Sequence, residues 1–218
     1  MRFLKIILLA FVLVSSDSLL AKDAKPISVK EKKKRFFNTL VPVVNSVYKE
    51  LDIQYKEIKT NLKNPKYKKK ITTLKKIYKV KTDKDLMMAL KPHPRSITLA
   101  QAAMESAWGT SRFYIKANNI FGVWSFNKKE PRIAASQKRG KKTIWLKKYP
   151  TIKDSVRDYY KNISRSHAFV EFRKLKMVTD DPYKLVKKLD RYSEMKEKYP
   201  KELAAMIRYN KLQRYDKP

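Results

Sequence analysis

The spacing of apolar residues along this chain predicts a mainly helical protein. Between residues 34 and 60, apolar side chains recur every three or four positions, which is the period of an amphipathic helix. Pro42 falls inside this stretch and predicts either a kink or a later start of the helix. The same criterion predicts further helices at 65–78, 85–90, 96–108, 111–116, 154–164, 168–176, 182–190 and 200–210.

The middle of the chain departs from this helical pattern. Residues 120–126 and 142–149 are rich in Val, Ile, Phe, Trp and Tyr, and the stretch between them contains Pro131 and Gly140. Short β-prone runs separated by turn residues are typical of a hairpin. We therefore expect an α+β architecture in which a helical lobe faces a small β-hairpin lobe.

The amino-acid composition limits which kinds of functional site the protein can contain. Lys and Arg number 53 against 20 Asp and Glu, a net charge of +33 that predicts an anionic partner. With only three Gly, a glycine-rich phosphate loop is not expected, and the lack of Cys excludes thiolate metal sites and a cysteine nucleophile. The two histidines, His93 and His167, are far apart in sequence and are expected at the surface. No cofactor is predicted.

The first residues have the order of a secretory signal. Arg2 and Lys5 precede the unbroken apolar run 6–14, and Ala21 supplies a small residue for cleavage. The apolar run is too short to cross a bilayer as a helix. An uncleaved anchor or a buried N-terminal helix is the alternative. We expect a signal peptide at 1–21, a basic helical extension at 22–80 and the main domain at 81–218.

One window contains almost no charge. A third of the chain is charged, yet within Ser96–Ser111 the only charged residue is Glu105. On a helix, the apolar residues of this window cover most of the circumference, whereas Thr98, Gln101 and Glu105 share one narrow strip. A carboxyl surrounded by apolar groups has a raised pKa, as a general acid at neutral pH requires. The alternative is a core helix whose Glu pairs with a Lys or Arg.

Four motifs in this part of the chain resemble one family. The segments are AQAAMESAWGTSRF at 100–113, NNIFGVW at 118–124, YPTIKDSVRDYYKNI at 149–163 and RYSEMKEKYPKELAAMIRYN at 191–210. Together they resemble the N-acetylglucosaminidase domains of glycoside hydrolase family 73, and most of all the bacterial Bax-like proteins. The resemblance covers residues 82–212, with a departure at Met195-Lys196, where Arg-Gly is usual.

The resemblance implies a lysozyme-like fold with a glycan groove between the two lobes and peptidoglycan as the substrate. It implies that Glu105 is the general acid and that Tyr192 faces the cleft. Gln101 and Trp108 are expected to border the groove, with Trp108 against the stem of the acid. The expected groove floor and sugar contacts are Asn118, Asn119, Phe121, Gly122 and Trp124.

The second catalytic group is less clear from the sequence. Glycosidases usually need two carboxylates, and between Ser96 and Lys153 the only acids are Glu105 and Glu130. Glu130 is one candidate, although it also fits a turn residue that neutralises its basic neighbours. The other candidate is the acetamido group of the substrate, which Tyr192 would steer.

Three functions follow in order of preference. The first is a secreted hydrolase of the β-1,4 bond after N-acetylglucosamine, and the second is a lytic transglycosylase that cuts after N-acetylmuramic acid. The third is a non-enzymatic basic protein that binds the envelope. In each case we expect a monomer in the periplasm or cell envelope, held to its anionic surface by charge, without a specific nucleic-acid partner.

Overall fold

A computed structural model describes residues 27–139 and 142–217, with residues 137–139 described by their backbone alone. The expected signal peptide lies outside the described residues. The described chain is mainly helical with one two-stranded antiparallel sheet, which confirms the predicted fold class. Its helices are α1 Val29–Thr60, α2 Lys68–Tyr78, α3 Asp83–Leu90, α4 Arg95–Glu105, α5 Arg112–Ala117, α6 Ile152–Arg165, α7 Val170–Leu175, α8 Pro182–Val186 and α9 Lys198–Tyr209; its strands are β1 Arg132–Arg139 and β2 Lys142–Lys147.

Helix α1 is longer than its apolar pattern predicts. It begins at Val29 because the Ser28 side chain accepts a hydrogen bond from the Glu31 backbone N–H at 3.2 Å, a typical N-cap. The helix continues through the exposed Pro42, so the predicted late start is wrong. Within the described residues, no helix is both long enough and apolar enough to cross a membrane.

Two apolar clusters hold the helices together. The larger one joins the first half of α1 to α4, α6 and α9, with buried residues such as Leu40, Leu99 and Leu203. The smaller one joins the end of α1 to α2 and α3 through residues such as Ile58 and Leu86. Helix α1 therefore crosses from one cluster to the other, and its first half shares the core that surrounds α4.

The hairpin differs from the prediction in its first strand. Residues 120–126 form no strand apart from a single bridge between Trp124 and Leu146, and β1 lies later in the chain, with Arg132 paired to Lys147. The reason is local, because the Asn119 side chain accepts from the Val123 N–H at 2.9 Å and donates to the Val123 carbonyl at 3.0 Å. These bonds close a turn where the apolar composition predicts a strand.

Candidate active site

Helix α4 ends at Glu105, three residues before the predicted end at Trp108. The Ser106 hydroxyl donates to the Ala102 carbonyl at 2.6 Å and accepts from the Gly109 N–H at 2.9 Å, which closes the helix. Ala107 and Trp108 then take left-handed backbone conformations, with φ of 49° and 61°. Such conformations are strained for residues with side chains and concentrate at functional sites. Glu105 is thus the last residue of a buried helix, directly before a tight turn.

The environment of Glu105 favours its protonated form. Residues 96–103 of α4 are buried, whereas Glu105 is partly exposed. Burial raises the pKa of Glu105 to about 8, and a hydrogen bond from Tyr199 opposes part of that rise. The Tyr199 hydroxyl donates to Glu105 Oε1 at 3.0 Å. Glu105 Oε2 has no hydrogen-bond partner among the described residues, so it is free to meet a ligand.

Gln101 does not border a groove, so its predicted position is wrong. Thr98 and Gln101 are both 0% exposed. The two ends of the Gln101 amide are occupied, because Nε2 donates to the Tyr199 hydroxyl at 2.9 Å and Oε1 accepts from the Tyr159 hydroxyl at 2.5 Å. Helices α6 and α9 cover this side of α4, so Gln101 supports Glu105 from within rather than bordering a groove.

Tyr192 is also placed differently from the prediction. Its side chain is 1% exposed and stacks on Tyr199, with ring centroids 5.3 Å apart. Tyr199, which the sequence analysis missed, is the tyrosine that reaches Glu105. The only available signal is that Tyr199, Leu203 and Ile207 form one buried stripe at helical spacing, and such a stripe gives no hint of a polar contact.

The segment 118–124 divides into supporting residues and accessible ones. Asn118 and Asn119 use their amides to hold neighbouring backbone, and Phe121 is 1% exposed, with its ring stacked on Tyr159 at 4.0 Å. These three side chains therefore hold the segment in its conformation. Phe121 is buried and forms no groove surface. Gly122 and Trp124 are partly exposed, and a Cβ added at Gly122 would meet no atom within 4 Å.

Glu130 lies in the turn that precedes β1. Its Oε1 accepts a hydrogen bond from the Ser125 hydroxyl at 2.7 Å, and its side chain is partly buried. No hydrogen bond or ion pair joins Glu130 to Glu105 among the described residues. The two candidate carboxyls therefore belong to separate local networks, one in each lobe.

Trp108 connects the turn after Glu105 to helix α1. Its ring makes edge-to-face contacts with Phe36 and Phe37, at centroid distances of 5.5 and 5.6 Å, and Lys33 Nζ lies 4.6 Å from its centroid. Trp108 and Met104 also line a groove of about 520 Å³ that α1 and α9 complete. The ring of Trp108 thus packs against residues of helix α1.

The two histidines occupy different environments. His167 is exposed, as predicted, but His93 is 1% exposed and stacks on Tyr160 at 4.5 Å, so its predicted surface position is wrong. The prolines on either side of His93 indicate a surface loop, but side chains of α6 and α7 bury the imidazole. In the described part of the chain, no cluster of three or more His, Cys, Asp or Glu side chains could hold a metal ion.

Comparisons with known proteins agree with this architecture. A family model described as mannosyl-glycoprotein endo-β-N-acetylglucosaminidase matches residues 84–212. The exo-glucosaminidase LytG of Bacillus subtilis is 43% identical over 70 residues, which cover 29% of this chain and 24% of LytG. The chain thus matches about a quarter of the length of that curated relative.

Two solved structures share the fold at low sequence identity. The catalytic domain of the autolysin Auto from Listeria monocytogenes has a TM-score of 0.55 and 19% identity, covering 90% of this chain and 92% of that domain. An N-acetylmuramoyl-L-alanine amidase from Staphylococcus aureus has a TM-score of 0.55 and 17% identity, covering 92% of this chain and 48% of the other. The match to Auto confirms the predicted lysozyme-like fold. Because the family model spans more than half of the chain, this protein belongs to the mannosyl-glycoprotein endo-β-N-acetylglucosaminidase family, glycoside hydrolase family 73.

Proposed function

We propose that this protein is a secreted peptidoglycan hydrolase that cleaves the β-1,4 bond after N-acetylglucosamine, with Glu105 as its general acid. The observation that supports this most strongly is the state of the Glu105 carboxyl. It lies at the exposed end of a buried helix, and burial raises its pKa to about 8. At neutral pH it therefore holds a proton that it can give to the glycosidic oxygen.

The proposal assigns the remaining catalytic work to the β lobe or to the substrate. Glu130 is the candidate for the second carboxyl, and its bond to Ser125 holds one of its oxygens in place. Trp124 and Gly122, which are near Glu130 in sequence, are partly exposed and offer surface for a sugar ring. Since Tyr192 is buried, its role in this scheme is to support the ring of Tyr199 by stacking.

The basic surface supports an envelope location. A net charge of +33 would attract the protein to the carboxylates of stem peptides and to anionic lipids. If so, binding of the Glu105→Gln variant to purified sacculi falls steeply between about 50 and 500 mM salt, because salt screens such contacts. Binding that does not change with salt would indicate that groove contacts alone hold the substrate.

The experiment that tests the function is a product analysis on purified sacculi. Mass spectrometry of the soluble fragments should show reducing-end N-acetylglucosamine with the wild-type protein and about 1,000-fold slower release of fragments with Glu105→Gln. Fragments that end in 1,6-anhydro-N-acetylmuramic acid would replace the proposal with a lytic transglycosylase. Intact sacculi that bind the wild-type protein without cleavage would indicate the non-enzymatic envelope-binding function.

A further inference from the structure

A continuous chain of buried hydrogen bonds runs behind Glu105. It begins at His93, passes through Tyr159 on α6 and Gln101 on α4, and reaches Glu105 through Tyr199 on α9. The four successive distances are 3.0, 2.5, 2.9 and 3.0 Å. Every member before Glu105 is at most 2% exposed, so water does not interrupt the chain.

The chain of hydrogen bonds has a direction, because the amide of Gln101 fixes which partner donates in each bond. Gln101 Oε1 cannot donate, so the Tyr159 hydroxyl gives its proton to Gln101. Gln101 Nε2 cannot accept, so it donates to the Tyr199 hydroxyl, whose own proton is then left for Glu105 Oε1. All three donors therefore point toward the carboxyl of Glu105.

His93 closes the far end of the chain. The hydroxyl proton of Tyr159 is committed to Gln101, so the bond between His93 Nε2 and the Tyr159 oxygen requires the imidazole proton on Nε2. Burial, together with the charge of Lys176, holds the pKa of His93 well below its usual range. The imidazole is thus a neutral donor at the start of the chain.

We propose that Tyr159 and Gln101 are positioning residues, which act through Tyr199 to reserve Oε1 of Glu105 as a hydrogen-bond acceptor and so place the acid's proton on Oε2. The proposal rests on the role of Glu105 given above and extends it to residues that never meet the substrate. A carboxyl without this arrangement could hold its proton on either oxygen, whereas the oxygen that Tyr199 leaves unoccupied is the one available to protonate a sugar.

The titratable groups that face Glu105 do not compete with it near neutral pH. These groups are Tyr199 on α9, Tyr192 before α9 and Tyr159 on α6. Burial raises the pKa of each well above the usual value for tyrosine, and the charge of Glu105 raises it further. A titration between pH 6 and 10 at this site therefore reports the carboxyl of Glu105.

The test measures the titration of Glu105 itself, which does not require activity. In protein labelled with ¹³C at the glutamate carboxyls, the Glu105 resonance is identified by its loss in Glu105→Gln. Removing a donor weakens the stabilisation of the carboxylate, so the pKa of Glu105 should rise. We expect the midpoint to move up by about one pH unit in Tyr199→Phe and by about half a unit in Tyr159→Phe.

Tyr160→Phe is the matched control, since Tyr160 adjoins Tyr159, is equally buried at 2% exposure and also loses one hydroxyl. Its hydroxyl forms a hydrogen bond with Thr98 and none with Tyr159, Gln101, Tyr199 or Glu105 among the described residues. We expect no shift of the midpoint in this variant, whatever its loss of thermal stability. Equal midpoints in Tyr159→Phe and Tyr160→Phe would overturn the proposal.

A second readout separates this proposal from the proposed function. Gln101→Met keeps the size of the side chain but removes the donor to Tyr199. It should slow the release of fragments from sacculi by about tenfold and raise the midpoint. If the titration midpoint of Glu105 shifts in a protein that never cleaves sacculi, the hydrogen-bonded positioning is supported and the enzyme function is rejected. An unchanged midpoint in an active protein would do the reverse.

Discussion

The two candidate carboxyls, Glu105 and Glu130, lie in regions that give them different surroundings. Glu105 ends a helix buried on every side, its one hydrogen-bond donor is a fully buried tyrosine, and its pKa is raised to about 8. Glu130 lies in a turn rich in Lys, and its donor is the nearby Ser125. The first region is built from distant parts of the chain, whereas the second is closed within six residues.

The contrast shows how burial and donor geometry separate two roles. A general acid must keep its proton at neutral pH, which requires desolvation, whereas a base or nucleophile must remain ionised and needs access to water. The α4 region supplies the first condition through tertiary packing. The turn before β1 instead holds the Glu130 carboxyl through one hydroxyl of the same short segment.

The largest expected effect comes from making the same substitution in both regions. Glu105→Gln should reduce the rate of fragment release by about 1,000-fold, since it removes the proton donor. Glu130→Gln should reduce the rate by about tenfold, since water and the substrate's acetamido group can replace part of its role. Initial rates on purified sacculi measure both. Equal losses would mean that the two regions are functionally equivalent.

A second comparison removes one aromatic ring from each region. Phe37 packs edge-on against Trp108 behind Glu105, whereas Phe126 in the β lobe is 66% exposed. Phe37→Ala should lower the free energy of unfolding by about 2–3 kcal/mol and slow cleavage, and Phe126→Ala should change the free energy of unfolding by less than about 0.5 kcal/mol. Urea unfolding measures the difference. Similar losses would show that α1 does not support the turn after Glu105.

The raised pKa of Glu105 also predicts how stability depends on pH. Its folded pKa of about 8 lies above the ordinary value of 4.5, so the folded state binds the extra proton between these limits. The corresponding stability is fully present below about pH 4.5 and is lost as pH rises through about 8. The free energy of unfolding of the wild type should therefore fall by about 4 kcal/mol relative to Glu105→Gln between pH 5 and pH 9. A constant difference across that range would contradict the assigned burial of Glu105.

The sequence predicted the features that local chemistry decides. Helical periodicity located most helices, including α3, which begins two residues before its predicted start because the Thr82 hydroxyl accepts from the Asp85 N–H at 3.0 Å. The absence of charge around Glu105 singled out this carboxyl from the sequence alone. These signals need only neighbouring residues, so one sequence is enough to find them.

The errors occur where side chains and tertiary contacts decide the structure. The Ser106 hydroxyl ends α4 early, and the Asn119 amide converts an apolar stretch into a turn. Gln101 was predicted at a groove surface, but α6 and α9 cover it. His93 was predicted at the surface, but α6 and α7 cover it. Tyr199 was missed because its contact with Glu105 joins residues far apart in the chain.

The central claim is that the protein keeps Glu105 protonated at neutral pH so that it can act as an acid. The most direct test is the rate of fragment release from sacculi between pH 5 and pH 10, measured at one ionic strength. We expect a rate that holds through pH 7 and falls to half near pH 8, as the Glu105 carboxyl loses its proton. A rate that declines near pH 4.5, or one that does not fall up to pH 10, would contradict it.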